Sequence, residues 1–267
     1  LTNNSTGGSN VAVGRLALGS NQTASNNTAV GHNALHDNTI GTQNTAVGAY
    51  ALDNVTTASN NTAFGYNCLS TMGNGGGSGG NTAVGSQAGV DITNGIFNVI
   101  IGSHTGFDLT TGSRNTFVGT SAGANITTGE ENVAIGDNSL VTGTTANRNV
   151  GLGHDTLEAC TGDHNTAIGH QAMKTNTSGV TNAALGINAL YANTTGDSNT
   201  GVGPDAGQSV TTGDNNTFLG HDAGRSNSPS GNITTGSNNV VLGNDAVQNL
   251  FCQDTSISSS DSRDKTD

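Results

Sequence analysis

Read for its polar and apolar positions, the chain repeats one phrase: Asn, a β-branched residue, a small residue, an aliphatic residue, Gly. The phrase begins at Asn10, Asn27, Asn44, Asn61, Asn81, Asn98, Asn115, Asn132, Asn149, Asn165, Asn182, Asn199, Asn216 and Asn239. The interval is 17 residues, except for single intervals of 20, 16 and 23. The fourth position is apolar in every copy, from Val13 to Leu242, and the fifth is Gly, from Gly14 to Gly243. The second is Thr or Val except at Ala183. Three residues after the Gly a small residue is usual (Ala17, Ala34, Ala51), and another Gly often lies three residues before the Asn (Gly112, Gly129, Gly162, Gly196, Gly213). A helix is a poor reading, because each internal Gly costs about 1 kcal/mol there. Short β-branched runs between Gly, Asn and Thr turns read as strands. Each unit therefore predicts two short strands and two turns, one coil of an all-β parallel solenoid, or β-roll. About fourteen coils stacked ~4.8 Å apart would form a rod of roughly 65–70 Å.

A second periodicity supports stacking. Counting the Asn as position one, the ninth position is Leu at Leu18, Leu35, Leu52, Leu69, Leu140, Leu157 and Leu190. Five copies carry Gly there instead: Gly89, Gly106, Gly123, Gly207 and Gly224. Four of these five supply an aliphatic residue three positions later, namely Ile92, Leu109, Ile126 and Val210; in the fifth an insertion intervenes and Ile233 is the counterpart. Each coil thus asks for one large apolar group at that end of its core, drawn from either of two sites. An unfilled site would cost about 1 kcal/mol or more. Leu52 with Val55 has both. The Asn column predicts a ladder of side-chain hydrogen bonds along the stack. The fifth-position Gly predicts a positive φ or a close backbone approach.

Alternation along a strand places positions two and four on one side and position three on the other. The larger residues at two and four are expected to fill the coil, leaving position three outside. That third column, which includes Ala12, Ala29, Ile100, Phe117, Gly151, Phe218 and Val241, is never charged. An exposed stripe of this kind predicts an interface, and hence a parallel homotrimer; the alternative is that position three forms a second internal face of a monomeric solenoid.

Composition narrows the class. Apolar residues make up 31% and aromatics 3%, so the core has to be placed economically, as in repeat proteins that share it between neighbours. A net charge of −12 with 7 Lys+Arg argues against nucleic-acid binding, which needs a basic face. No apolar run approaches the ~18 residues of a membrane span. The 3 Cys are widely spaced and odd in number, which suits neither a disulfide framework nor a zinc site, and Cys68 stands where other copies carry Ala.

Asn44-Thr-Ala-Val-Gly48 followed by Ala51-Leu52, and Asn193-Thr-Thr-Gly196, resemble the head repeats of trimeric autotransporter adhesins. They are still more similar to the repeats of phage and bacterial tail-fibre-domain proteins. The resemblance covers roughly residues 1–249 and implies a left-handed β-roll that trimerises side by side. Residues 250–267 read as a linker and a second resemblance: Ser260-Asp261-Ser262-Arg263-Asp264-Lys265 is similar to the start of the intramolecular chaperone domain of phage tail fibres and endosialidases. In that family the domain trimerises the fibre and then cuts itself off. By that resemblance Ser260 is the nucleophile and Lys265 the base that takes its proton. No self-cleavage is expected without the chaperone body. Leu1 falls where Leu18 falls one repeat later, so the chain is expected to be a segment of a longer fibre.

Other positions carry chemistry. His32, His154, His170 and His221 share the sixth position, where three copies in a trimer could meet at a metal; a solvated turn residue is the plainer expectation, and no cofactor or metal is expected. Asp155, Asp205, Asp222 and Asp245 share the seventh, but adjacent coils seldom both carry one, which disfavours a paired-carboxylate glycosidase. The stretches Gly73–Gly80 and Arg225–Gly231 break the period and read as surface loops, the candidates for receptor contact. The calcium-binding nonapeptide of other β-rolls is absent. The expected function is a structural and adhesive fibre of a virion tail fibre or tailspike that contacts a host glycan or surface protein. A bacterial surface adhesin is the alternative and a polysaccharide-degrading tailspike a third. An ice-binding role, suggested by the Thr columns, is set aside because those Thr are assigned to the core.

Overall fold

The computed structural model describes residues 3–72 and 79–248. Fourteen strands of three residues each, from β1 (Val11–Val13) to β14 (Val240–Leu242), form one parallel sheet in strict sequence order. Pairing is in register with the repeat: Thr116, Phe117 and Val118 face Val133, Ala134 and Ile135. No described residue is helical. The chain is a β-solenoid, one coil per repeat.

Each coil contributes one strand, not the expected two. The opposite segment does bond from coil to coil, as in Thr127 N–H to Thr144 O (2.9 Å) and Glu131 N–H to Ser113 O (3.0 Å). No continuous ladder forms there, because left-handed residues interrupt it. In one coil Ser121 (φ 56°), Gly123 (φ 60°) and Glu131 (φ 59°) turn the chain, and Gly119 (φ 131°) precedes them. The same positions have positive φ in coil after coil, which closes so short a circuit.

The strand faces are reversed relative to the sequence expectation. Ala29, Ala46, Ala63, Ala83, Ile100, Phe117, Ala134, Ala167 and Phe218, all in position three, are fully buried. The fourth position points outward: Val13 is 58% exposed, Leu185 and Leu219 50% each. The coil is thin, and its interior beside the strand accepts Ala or Gly in most copies. The larger aliphatic residues have no room inside and face out.

The exceptions confirm how the interior is shared. A Cβ on Gly123 would lie 2.6 Å from the Phe117 ring, and one on Gly224 would lie 2.4 Å from Phe218. Where the ninth position gives up its Leu, a large third-position residue from the same or the next coil reaches across and takes the volume. Ile92, Leu109, Ile126 and Val210 are fully buried, as the compensation between positions nine and twelve requires. Leu18, Leu35, Leu52, Leu69, Leu140, Leu157 and Leu190 are equally buried, with Met173 doing the same in the coil that begins at Asn165. These Leu sit at φ 48–53°, a left-handed conformation costing about 1–2 kcal/mol. Burying the side chain offsets that cost by about 1.5–3 kcal/mol. Cys68 and Cys160 are buried and unpaired, and burial raises their thiols to about 12 and about 11. They act as small apolar residues.

The Asn ladder is present, and its main partners are backbone. Asn132 Oδ1 accepts the Asn149 N–H at 3.0 Å, and Asn132 Nδ2 donates to Ala146 O at 2.7 Å and to Asn115 Oδ1 at 3.1 Å. Asn115 Oδ1 in turn accepts the Asn132 N–H. The column from Asn27 to Asn216 is buried. These Asn do not take the left-handed turn conformation; the residue before each of them does, as at Asn26, Arg114 and Glu131.

Candidate interaction surface

The sheet turns its second and fourth positions to solvent. The fourth column includes Val13, Phe64, Val84, Ile101, Leu152, Leu185, Leu219 and Leu242, all exposed. The second column is Thr, Val or Ala, so neither column contains a charge in fourteen coils. With fourteen strands ~4.8 Å apart and three residues wide, the face is about 60 Å long and about 10 Å across. That is at the upper end of the apolar patches monomers ordinarily expose. The exposed uncharged stripe that the sequence placed at position three is therefore at positions two and four. The Thr of position two are half-exposed, so the ground for setting aside ice binding does not hold.

The turn after the fifth-position Gly carries several titratable residues, and the four sixth-position His fall into three separate places. His32 Nε2 meets Arg15 Nη1 at 3.0 Å. His154 stacks on His170 with centroids 5.3 Å apart and planes 7° from parallel, and it lies near Asp137 (3.7 Å) and Asp155 (3.4 Å). His221 lies 3.3 Å from Asp222.

The Asp column does more than its sequence suggested. Asp155 is buried, and its Oδ2 accepts from Lys174 Nζ at 2.7 Å and from Gln171 Nε2 at 3.3 Å. Burial opposes the charged form, but hydrogen bonds from Lys174 and Gln171, with the charges of Lys174 and His154, outweigh it and hold the carboxyl below its ordinary range. Lys174 also meets Glu158 at 2.9 Å, and its hydrogen bonds to Asp155 and Glu158 raise its pKa. A carboxyl depressed on folding stabilises the fold at pH above the ordinary carboxylate range, ~3.9, and loses that contribution as pH falls through its depressed value. Lys174→Met is therefore expected to cost about 2 kcal/mol in urea unfolding at pH 7. The difference from the parent should shrink as pH falls from 7 towards 2, and an equal difference at both pH values would refute the assignment.

Asp205, His221 and Asp222 place ligand atoms within 4.8 Å of one another, the one such trio among the described residues. Arg225 already occupies this corner, with Nη1 2.6 Å from Asp222 and 3.6 Å from Asp205. Asn227 donates to Asp222 Oδ2 at 2.8 Å, and Asp222 is held below its ordinary range by that bond and, against the opposing effect of burial, by Arg225 and His221. Arg225 and Asn227 belong to the Arg225–Gly231 insertion, so the trio clamps that insertion to the shaft. Ser228 Oγ adds a bond to Gly243 O at 3.2 Å. Asp245 is exposed at the last coil, its N–H bonded to Asn227 O. The sequence did not single out Lys174, because its partner Asp155 is a whole coil away, and it read Arg225 and Asn227 as part of a surface loop, not as partners of Asp222.

Residues 73–78 of the Gly-rich stretch lie outside the described residues, as do Ser260 and Lys265 of the resemblance to the chaperone start. No helix among the described residues is long and apolar enough to cross a membrane. In comparisons with known proteins, the chain matches no family model, no curated protein and no solved structure.

Proposed function

We propose that the chain is a shaft segment of an adhesive homotrimeric fibre, of the phage tail-fibre or tailspike kind, that holds host-binding sites away from the particle. The observation that supports this most is the uncharged outward face of positions two and four, continuous over fourteen coils. A face repeating at the coil spacing is matched in period by another copy of itself. Burying even half of an ordinary interface on it would remove most of the exposed Val, Ile and Leu from water. The resulting rod would be stiff, and weak contacts displayed in three copies would add by effective concentration. Sedimentation of the intact chain is expected to give a trimer, and Ile101→Lys with Leu185→Lys is expected to give a folded monomer. A monomeric parent would overturn the proposal.

A second reading rests on the outward Thr column. Thr28, Thr45, Thr62, Thr82 and Thr116 share the face with Val and Ile at a regular spacing, which is the kind of array that can order water as ice does. A trimer that covers this face leaves it unavailable to ice. A monomer with thermal hysteresis would favour the second reading instead.

A further inference from the structure

Aromatic residues are scarce in this chain, with 6 Phe, 3 Tyr and no Trp in 267 residues. Two of the three Tyr nevertheless meet at one corner. The Tyr50 and Tyr66 rings lie 6.1 Å apart, edge to face at 87°, and the His32 ring lies 5.1 Å from Tyr50 at 73°. Arg15 reaches His32 at 3.0 Å. Tyr66 is 54% exposed. The coils beneath are already filled by Ala46, Ala51, Leu52, Val55, Ala63 and Leu69, so the rings contribute nothing to the core.

The backbone that carries the rings is held in place. Tyr50 has φ 60°, its N–H bonds to His32 O at 2.9 Å, and Tyr66 O accepts from Gln87 N–H at 2.8 Å. Edge-to-face contact adds about 0.5–1.5 kcal/mol per pair and leaves ring faces open. Rigid aromatic groups lose little entropy on binding.

The chemistry selects among ligand classes. One Arg on a chain of net charge −12 does not suit a polyphosphate backbone. Three rings and their rim are far smaller than the roughly 1,000 Å² a stable protein partner needs. A pyranose ring fits: its C–H face packs on an aromatic ring, and its hydroxyls pair with phenol hydroxyls, an imidazole and a guanidinium. We propose that Tyr50 and Tyr66, with Arg15 and His32, form a site for a pyranoside unit of a surface glycan. The proposal deepens the fibre reading and rests on it for avidity, since a shallow site of this size needs several copies to hold a cell surface.

The test uses the intact chain on an array of neutral and uronate-bearing pyranoside oligosaccharides. Binding to at least one is expected, weakened about tenfold or more by Tyr66→Ala and by Tyr50→Ala. Tyr66→Phe should retain most of it, and Tyr191→Ala, at the third Tyr, should leave it unchanged. Circular dichroism of each variant establishes that the solenoid is intact. Absence of binding across the array, or equal binding by Tyr66→Ala, would overturn the proposal. Sedimentation of the same samples separates the two readings. A trimer without glycan binding sinks this site alone, whereas a monomer that binds through Tyr66 sinks the fibre reading and leaves the site standing.

Discussion

Gly119→Ala is expected to abolish cooperative folding of the shaft, or to cost about 4 kcal/mol or more if the chain still folds. A Cβ at this position would lie 2.5 Å from Gly136 O and 2.6 Å from Gly136 C, both backbone atoms of the next coil. Neither can move without opening the stack. The φ of 131° is also one that L side chains rarely adopt. The same contact recurs up the column, from Gly31 against Gly48 to Gly186 against Gly203, so the fifth position is a point of close approach between neighbouring coils. Gly8→Ala is the matched control. It has no positive φ and nothing within 4 Å of its added Cβ, so its urea midpoint should be essentially unchanged. Equal midpoints for the Gly119 and Gly8 variants would show that the column is not required.

Asn132→Ala should be the next most damaging change, at about 3–5 kcal/mol. It leaves the Asn149 N–H and the Ala146 carbonyl buried without their partner, and each orphaned group costs about 1–3 kcal/mol. Asn132→Asp separates hydrogen bonding from volume. The carboxylate can still accept the Asn149 N–H, but its other oxygen would face Ala146 O and Asn115 Oδ1, where the amide donated. A buried carboxylate so placed has its pKa raised, because its neighbours favour the protonated form. A pKa raised on folding makes the ionised form costly at neutral pH and relieves that cost as pH falls below the folded value. Compared with the parent at each pH, the Asp variant should therefore be least stable at pH 7 and recover towards pH 4. A deficit independent of pH would mean that shape, not the donor, is what the column requires.

Much of the fold was legible because the repeat is the structure. An interval of 17 residues held through most of fourteen copies means one coil per unit, and the parallel in-register sheet follows. The exchange between Leu at position nine and Ile92, Leu109, Ile126 or Val210 at position twelve was readable as conservation of core volume, and all of these are buried. A further exchange was present but unread. Phe117 and Phe218 stand at position three in the coils where position nine is Gly, and that pairing marks position three as interior. The candidate surface was therefore assigned to the wrong column of the right strand. Two Tyr on adjacent coils, one in the sixth position and one in the seventh, gave no periodic signal, and their meeting depends on side-chain directions.

By itself the amino-acid sequence determined the period, the strand and its Gly boundary, the Asn column and the need for one large apolar group per coil. These follow from local propensity and from repetition, which require no knowledge of where the chain closes. The tertiary structure decided which face of the strand is inside, which only the two Phe–Gly exchanges hinted at in the sequence. Alternation with period two is satisfied by either choice. The width of the closed coil, too narrow for a column of Val, Ile and Leu beside the strand, is what turns them outward. The same closure brings Asp155 to Lys174 and Asp205 to Arg225, because charges interact through distances that only the completed stack defines.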